Sequence, residues 1–258
     1  MKKSEFIEAL SEVKTNNTKS YLVHVSIIDL GIFDDLRIED MNRFLFSSLI
    51  KIFGKNSTFS TMTPFYEYAD KKREFDLKTS IPSKEIGSFS KFIFNKKNSH
   101  RSKNPLFNIC SVGPLAKKIT NSRKYSDFET RSSWDNLFRL NTEMIFIGCD
   151  LSKCTFIRYI EHKFKVPYLI KKTFNIKIKS NNRVIGLKSS STLRNLNLKI
   201  IYDTTKFQNS LKKKGFLKIS SNKNFNLMSL KMKPAFKVGI DSLRKDNLFF
   251  LNKKVSKI

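Results

Sequence analysis

The sequence predicts an α/β fold with an antiparallel β subregion in its C-terminal half. Three stretches carry this. Residues 21–28, Tyr21-Leu-Val-His-Val-Ser-Ile-Ile28, read as a buried strand that runs into Asp29-Leu-Gly31. The apolar run Met144-Ile-Phe-Ile147 stops at Gly148, and a polar-capped helix follows from Asp150, which is the pattern of buried strand, tight turn and helix. Beyond Pro167 the period changes: residues 173–178, 183–188 and 196–202 alternate like strands, with hairpin-like turns at Ser180-Asn-Asn and Ser189-Ser-Ser.

The remaining elements fall into place around these. Residues 3–13 carry Phe6, Ile7, Leu10 and Val13 on one helical side. The acidic turn Asp34-Asp35 precedes an amphipathic helix over 38–53 that Gly54 closes, and residues 57–62 form a second strand. From Pro64 to Pro105 the chain is mostly irregular, with a short helix over 86–94; a connection of this length in a compact domain usually serves function. A strand over 106–112 leads into a helix opened by Gly113-Pro. A short helix over 134–140, a helix over 205–214 that stops at Gly215, a hairpin of 216–219 with 225–230, and a last helix over 234–245 complete the reading. No repeat and no Gly/Ser linker divides the chain, so residues 1–258 are expected to form one domain.

Composition narrows the function. The 258 residues, 40% hydrophobic, suffice for one sizeable core. No run reaches the roughly 18 apolar residues of a membrane span, and the opening Met1-Lys-Lys-Ser-Glu carries an acid where a signal peptide has an apolar core. Cys110, Cys149 and Cys154 make no disulfide framework and, with His24, His100 and His162, match no zinc spacing; no metal is expected, and a reducing cytoplasmic compartment is. The net charge of +28 invites a nucleic-acid reading. Yet the lysines are spread from end to end in a chain also rich in Asn, Ile and Phe, as an AT-rich coding bias produces, and no basic-aromatic interleaving appears. A general attraction for polyanionic ligands is the stronger expectation.

One polar constellation stands out. Arg158, Glu161 and His162 lie at i, i+3 and i+4, on one face of the helix that follows the Met144 strand. Ligand sites in α/β sheets sit beyond the C-terminal ends of strands, where such helices begin. The triad suits a polar substrate; the same spacing also describes a solvated charged face with one ion pair.

Several local patterns, taken in order, resemble the aminoglycoside N(3)-acetyltransferase family. Val23-His-Val-Ser26 with Asp29-Leu-Gly31 resembles the family's first strand and turn. Thr63-Pro-Phe65 resembles the turn after its second strand. Phe75-Asp76 with Thr79, Pro82-Ser83 and Gly87 resembles one family motif, and Arg101-Ser102 with Pro105, Ser111-Val-Gly113 and Ala116 resembles the next. Ser133-Trp-Asp-Asn-Leu137 and Thr155-Phe-Ile-Arg-Tyr-Ile-Glu-His162 are similar to two later motifs, and the close of the chain, from Gly215 to Leu248-Phe-Phe-Leu251, resembles the family's ending. Residues 168–205 match least.

The resemblance implies a three-layer α/β/α sandwich with a mixed central sheet and transfer of an acetyl group from acetyl-CoA to a sugar amine. It also leaves a homodimer open. It implies that Ser26, with His24 and Val25, lies along the CoA pyrophosphate or pantetheine. Arg101 and Ser102 are implied to meet CoA from the long loop, Thr155 to donate to the thioester, and Asp76 and Glu161 to hold a cationic amino sugar. Trp134 and the cysteines are expected in the core. Three departures matter. Asn104 stands where many drug-modifying members have His, and Ile32-Phe-Asp-Asp35 replaces a Gly-rich turn. Above all, the family's catalytic His aligns with Arg158, and an arginine, always protonated, is no general base. Glu161 taking the proton while Arg158 binds an anionic group, His162 substituting, or loss of catalysis with retention of the fold for binding all fit the sequence. A polycationic drug is repelled by so basic a surface, whereas an anionic nucleotide-linked or polysaccharide-precursor amino sugar is attracted.

Overall fold

A computed structural model describes residues 1–15, 18–68, 74–122, 126–180 and 183–256. Its centre is a seven-stranded mixed sheet in the order β4-β5-β2-β1-β6-β10-β9. The strands are β1 (Ser20–Val25), β2 (Thr58–Met62), β4 (His100–Arg101), β5 (Ile109–Val112), β6 (Glu143–Ile147), β9 (Lys218–Ile219) and β10 (Leu227–Lys231). β1 runs parallel to β2 and β6, with Val23 opposite Ile145 and Val25 opposite Ile147, while β5 and β10 flank this trio antiparallel. A second sheet holds β3 (Phe75–Asp76), β7 (Leu169–Ser180) and β8 (Arg183–Arg194).

Alternation sorts the central sheet onto two cores. Leu22, Met144 and Phe146 point to one face, and Tyr21, Val23, Ile145 and Ile147 to the other. The second face is covered by α1 (Lys3–Glu12), α3 (Met41–Phe53) and α4 (Ser88–Phe94) through Phe6, Leu45, Leu49 and Phe89. The first is covered by α5 (Ala116–Thr120), α6 (Ser133–Arg139), α7 (Phe156–Phe164), α8 (Thr205–Lys213) and α9 (Met232–Lys245) through Ile119, Trp134, Phe156, Phe207 and Ala235. Each such large apolar side chain, fully buried, contributes roughly 1.5–3 kcal/mol. The expected three layers, the mixed sheet, and the burial of Trp134 and the three cysteines are all present.

Local chemistry moves several boundaries. β1 ends at Val25, three residues early, because Ser26 starts the short helix α2 (Ile27–Leu30): its Oγ bonds Asp29 Oδ2 at 2.5 Å and its carbonyl accepts from Leu30 N. Ile28 is thereby turned into solvent, 93% exposed. The expected strand over 196–202 does not form. Asn195 instead caps a turn, accepting from Asn197 N at 3.1 Å, and the segment keeps isolated bridges rather than a strand, Tyr202 pairing with Leu251. The turn expected at Ser189-Ser-Ser is also wrong: these residues continue β8, opposite Phe174, Thr173 and Lys172. Ser189 and Ser191 point inward and hydrogen-bond Asn104 and Asp127. Small polar residues with buried partners look like a turn in sequence, since the partners lie 85 and 64 residues away. Asn181 and Asn182, of the other expected turn, lie outside the described residues, but Ser180 pairs with Arg183 across it.

Two contacts fix how α7 sits. Gly239 of α9 leaves so little room that an added Cβ would lie 2.9 Å from Ile160 Cγ2. Tyr159 donates from its hydroxyl to Asp135 Oδ1 of α6 at 2.9 Å. At the strand end that launches α7, Gly148 has φ +68°, and a Cβ there would overlap the Ser26 carbonyl oxygen. Gly54 also has positive φ, +96°, but open space around it. Gly148→Ala is therefore expected to lower stability by at least about 2 kcal/mol, the sum of left-handed strain and overpacking. Gly54→Ala carries only the strain, so thermal denaturation should show a clearly larger loss at Gly148; equal losses would contradict the close approach.

Candidate active site

The C-terminal ends of β1 and β6 lie side by side, and α7 begins just beyond them. Asp150 starts the connection, accepting from Ser152 N at 2.8 Å, and Thr155 occupies the N-cap of α7 with no capping bond from its hydroxyl. Arg158 stands one turn on.

Glu161 organises the surroundings of Arg158. Its carboxylate is fully buried, and every contact to it comes from a donor. Tyr168 donates to Oε1 at 2.7 Å, and Tyr202 donates to Oε2 at 3.0 Å. Arg158 Nη1 reaches Oε2 at 3.4 Å and also donates to the Tyr202 hydroxyl, while the guanidinium carbon lies 4.6 Å from the Tyr202 ring centre. Burial pushes the Glu161 pKa up; Arg158 and the two hydroxyls pull against it. Both tyrosines are pushed well up, by burial and then by Glu161, so each remains a protonated donor. The arrangement is a buried ion pair with its lone pairs satisfied.

The other expected site residues divide. His162 points away from the carboxylate. Its Nδ1 lies 2.7 Å from Thr192 Oγ1 of β8, its ring lies against Phe128, and burial lowers its pKa against the opposing pull of Glu129. His24 stacks on Phe146 with ring centres 4.7 Å apart; its Nε2 is buried without a partner among the described residues, and burial pushes its pKa down to about 4. Val25 lies beside the long loop, its carbonyl oxygen 3.5 Å from where a Cβ on Gly87 would be. Ser26 directs its hydroxyl to Asp29. Arg101 is buried and donates to Asn108 Oδ1 at 3.0 Å and to the carbonyls of Ser80 and Thr63, with Phe75 and Phe94 against its guanidinium. Ser102 accepts from Ile109 N at 2.9 Å. Asp76 accepts from Lys78 N and Thr79 N in a tight turn. Arg158 and Glu161 are thus brought together, while Arg101, Ser102 and Asp76 are occupied in holding the long loop.

Sequence reasoning missed Tyr168 and Tyr202, which complete the network from outside α7. Tyr168 lies past the end of α7 at Phe164 and Tyr202 lies 41 positions from the carboxylate, so no spacing within the helix links them and only the fold reveals them. It also missed Asp127. This carboxyl accepts from Ser191 at 3.0 Å, its Oδ2 has no partner among the described residues, and burial pushes its pKa up to about 8. Among the described residues no cluster of His, Cys, Asp or Glu could hold a metal ion, and no helix is long and apolar enough to cross a membrane.

Comparison with known proteins gives a family. The model of the aminoglycoside 3-N-acetyltransferase family matches residues 22–244. The apoenzyme of aminoglycoside acetyltransferase AAC(3)-IVa is similar at 20% identity and TM-score 0.74, over 97% of this chain and 91% of that one. AAC-IIIb in binary complex with CoASH is similar at 13% identity and TM-score 0.77, over 95% and 97%. YokD of Bacillus subtilis is similar at 12% identity and TM-score 0.77, over 95% and 94%. At such identities these likenesses speak to the fold. No curated protein matches the chain in sequence.

The raised carboxyl of Asp127 gives a pH signature. A group whose folded pKa, about 8, exceeds its ordinary 3.8 stabilises fully below that ordinary value, and the contribution is lost as pH rises to about 8. Asp127→Asn removes the ionisation. Its melting temperature should match the wild type near pH 4 and exceed it by several degrees at pH 8; a difference independent of pH would contradict the assignment.

Proposed function

From the premise that this chain belongs to the aminoglycoside 3-N-acetyltransferase family, we propose that it transfers the acetyl group of acetyl-CoA to an amine of an amino sugar, nucleotide-linked or a polysaccharide precursor. The CoASH complex of AAC-IIIb, a protein of the same fold, supports acetyl-CoA as the cosubstrate. The net charge of +28 favours an anionic acceptor over a polycationic drug. Three free cysteines, all buried, suit a cytoplasmic enzyme.

The observation that carries the mechanism is the hold of Glu161 and Tyr202 on Arg158. Amide formation joins the acceptor nitrogen to the acetyl carbon, breaks the carbon–sulfur bond, releases CoA as its thiol and removes one proton from nitrogen. Arg158 takes no proton, but its charge beside the acceptor disfavours an ammonium and so favours the free amine that attacks. It also opposes the negative charge that develops on the thioester oxygen, toward which the Thr155 hydroxyl can donate. The nitrogen's proton then has a route: the Tyr202 hydroxyl takes it while passing its own to Glu161, whose raised pKa suits an acceptor of protons. His24, Val25 and Ser26, at the end of β1, fit the coenzyme arm as a lining of backbone and ring, not as charged partners. A second reading, a protein that binds these ligands without turnover, is favoured by the complete burial of Glu161.

A thiol-release assay with acetyl-CoA and a panel of nucleotide-linked amino sugars separates the two. Acceptor-dependent release is expected, with Glu161→Gln slower by about a hundredfold at similar KM for acetyl-CoA. No release from the wild type, together with release restored by Arg158→His, would instead show a binding protein that has lost its base.

A further inference from the structure

Beside Arg158 and Tyr202 stands a second arginine that the acetyl-transfer chemistry leaves without a task. Arg194, the last residue of β8, is exposed, and its guanidinium carbon lies 5.5 Å from the centre of the Tyr202 ring. The same ring receives Arg158 at 4.6 Å. Like charges gathered on one aromatic ring repel each other, and the ring's negative face offsets only part of that. Neither is fully used. Both polar contacts of Arg158 fall on Nη1, leaving Nε and Nη2 without a hydrogen bond among the described residues. Arg194 has no carboxylate partner among the described residues. Burial holds Tyr66, on the loop after β2, above the usual phenol range, and Glu85 on the same loop adds to this, while both arginines pull against it.

We propose that Arg158 and Arg194, brought together on Tyr202, form a two-guanidinium site for a phosphoryl group at the mouth of the active site. Guanidinium forks match phosphate oxygens in pairs, and a dianion relieves the repulsion between the two cations. The inference rests on the acetyl-transfer reading for its place in the reaction: the phosphoryl group sits next to Arg158, where the acceptor amine is polarised. The diphosphate of a nucleotide-linked amino sugar and the phosphates of CoA are the two sources of this chemistry. Arg158 then serves both the anion, through Nε and Nη2, and Glu161, through Nη1. An arginine in place of a histidine supplies that double connection, since an imidazole has only two ring nitrogens.

Calorimetric titration of the full chain tests this with three probes: UDP-glucosamine, free glucosamine and CoA. Arg194 is exposed and lies outside both cores, so Arg194→Ala and Arg194→Glu should fold; melting temperature checks this. Arg194→Ala is expected to weaken UDP-glucosamine about tenfold, and Arg194→Glu more, with glucosamine unchanged. If CoA weakens by that factor and UDP-glucosamine does not, the site stands and the coenzyme is the source of its phosphate. If neither anion weakens, the site is overturned whatever the enzyme turns over. Loss of anion binding in a protein that transfers no acetyl group would keep the site and discard the acetyl-transfer reading.

Discussion

A fully buried carboxylate governs the centre of this protein. Glu161 has no water to solvate it, so its charge persists only if every oxygen is met by a donor. Arg158, Tyr168 and Tyr202 meet it from three parts of the chain: α7 itself, the turn after it, and the segment beyond the β7–β8 hairpin. That requirement ties the hairpin region to α7. It also leaves Arg158 with one nitrogen turned inward and the rest of its fork without a hydrogen bond among the described residues. Removing any partner would leave a buried charge short of a donor, a loss of several kcal/mol in comparable pairs.

Much of this was legible in the sequence, for a physical reason. Buried strands and amphipathic helices write their periods locally, so β6, the turn at Gly148 and the helix bearing Arg158 and Glu161 could be read directly. Ordered motifs spread over nearly the whole chain resembled a family, and with it came the layers of the fold. The features that failed have distant partners. Ser189 and Ser191 looked like a turn because their inward bonds to Asn104 and Asp127 leave no local trace. The apolar residues of 196–202 alternate like a strand, yet Asn195 turns the chain and leaves Leu196 92% exposed.

The site shows the same division. Spacing alone paired Arg158 with Glu161, and the pair is present, but spacing could not say that the carboxylate is enclosed. Arg101 has a phosphate binder's chemistry, yet its donors go to Asn108, Thr63 and Ser80, so it fastens the long loop to the sheet edge. The arginine left to meet a ligand is Arg194, 36 positions beyond Arg158 and without any motif around it. A basic surface set by composition thus has one place where two arginines lie against the same ring, that of Tyr202.

If Arg158 favours the free amine by its charge and no imidazole takes the proton, the acceptor's own ionisation sets the onset of activity. The pH dependence of kcat/KM, measured with acceptors whose amines differ in basicity, tests this directly. The rising limb should move with the pKa of each acceptor amine. A limb fixed at the same pH for every acceptor would place the controlling ionisation on a group of the enzyme and contradict control through the amine.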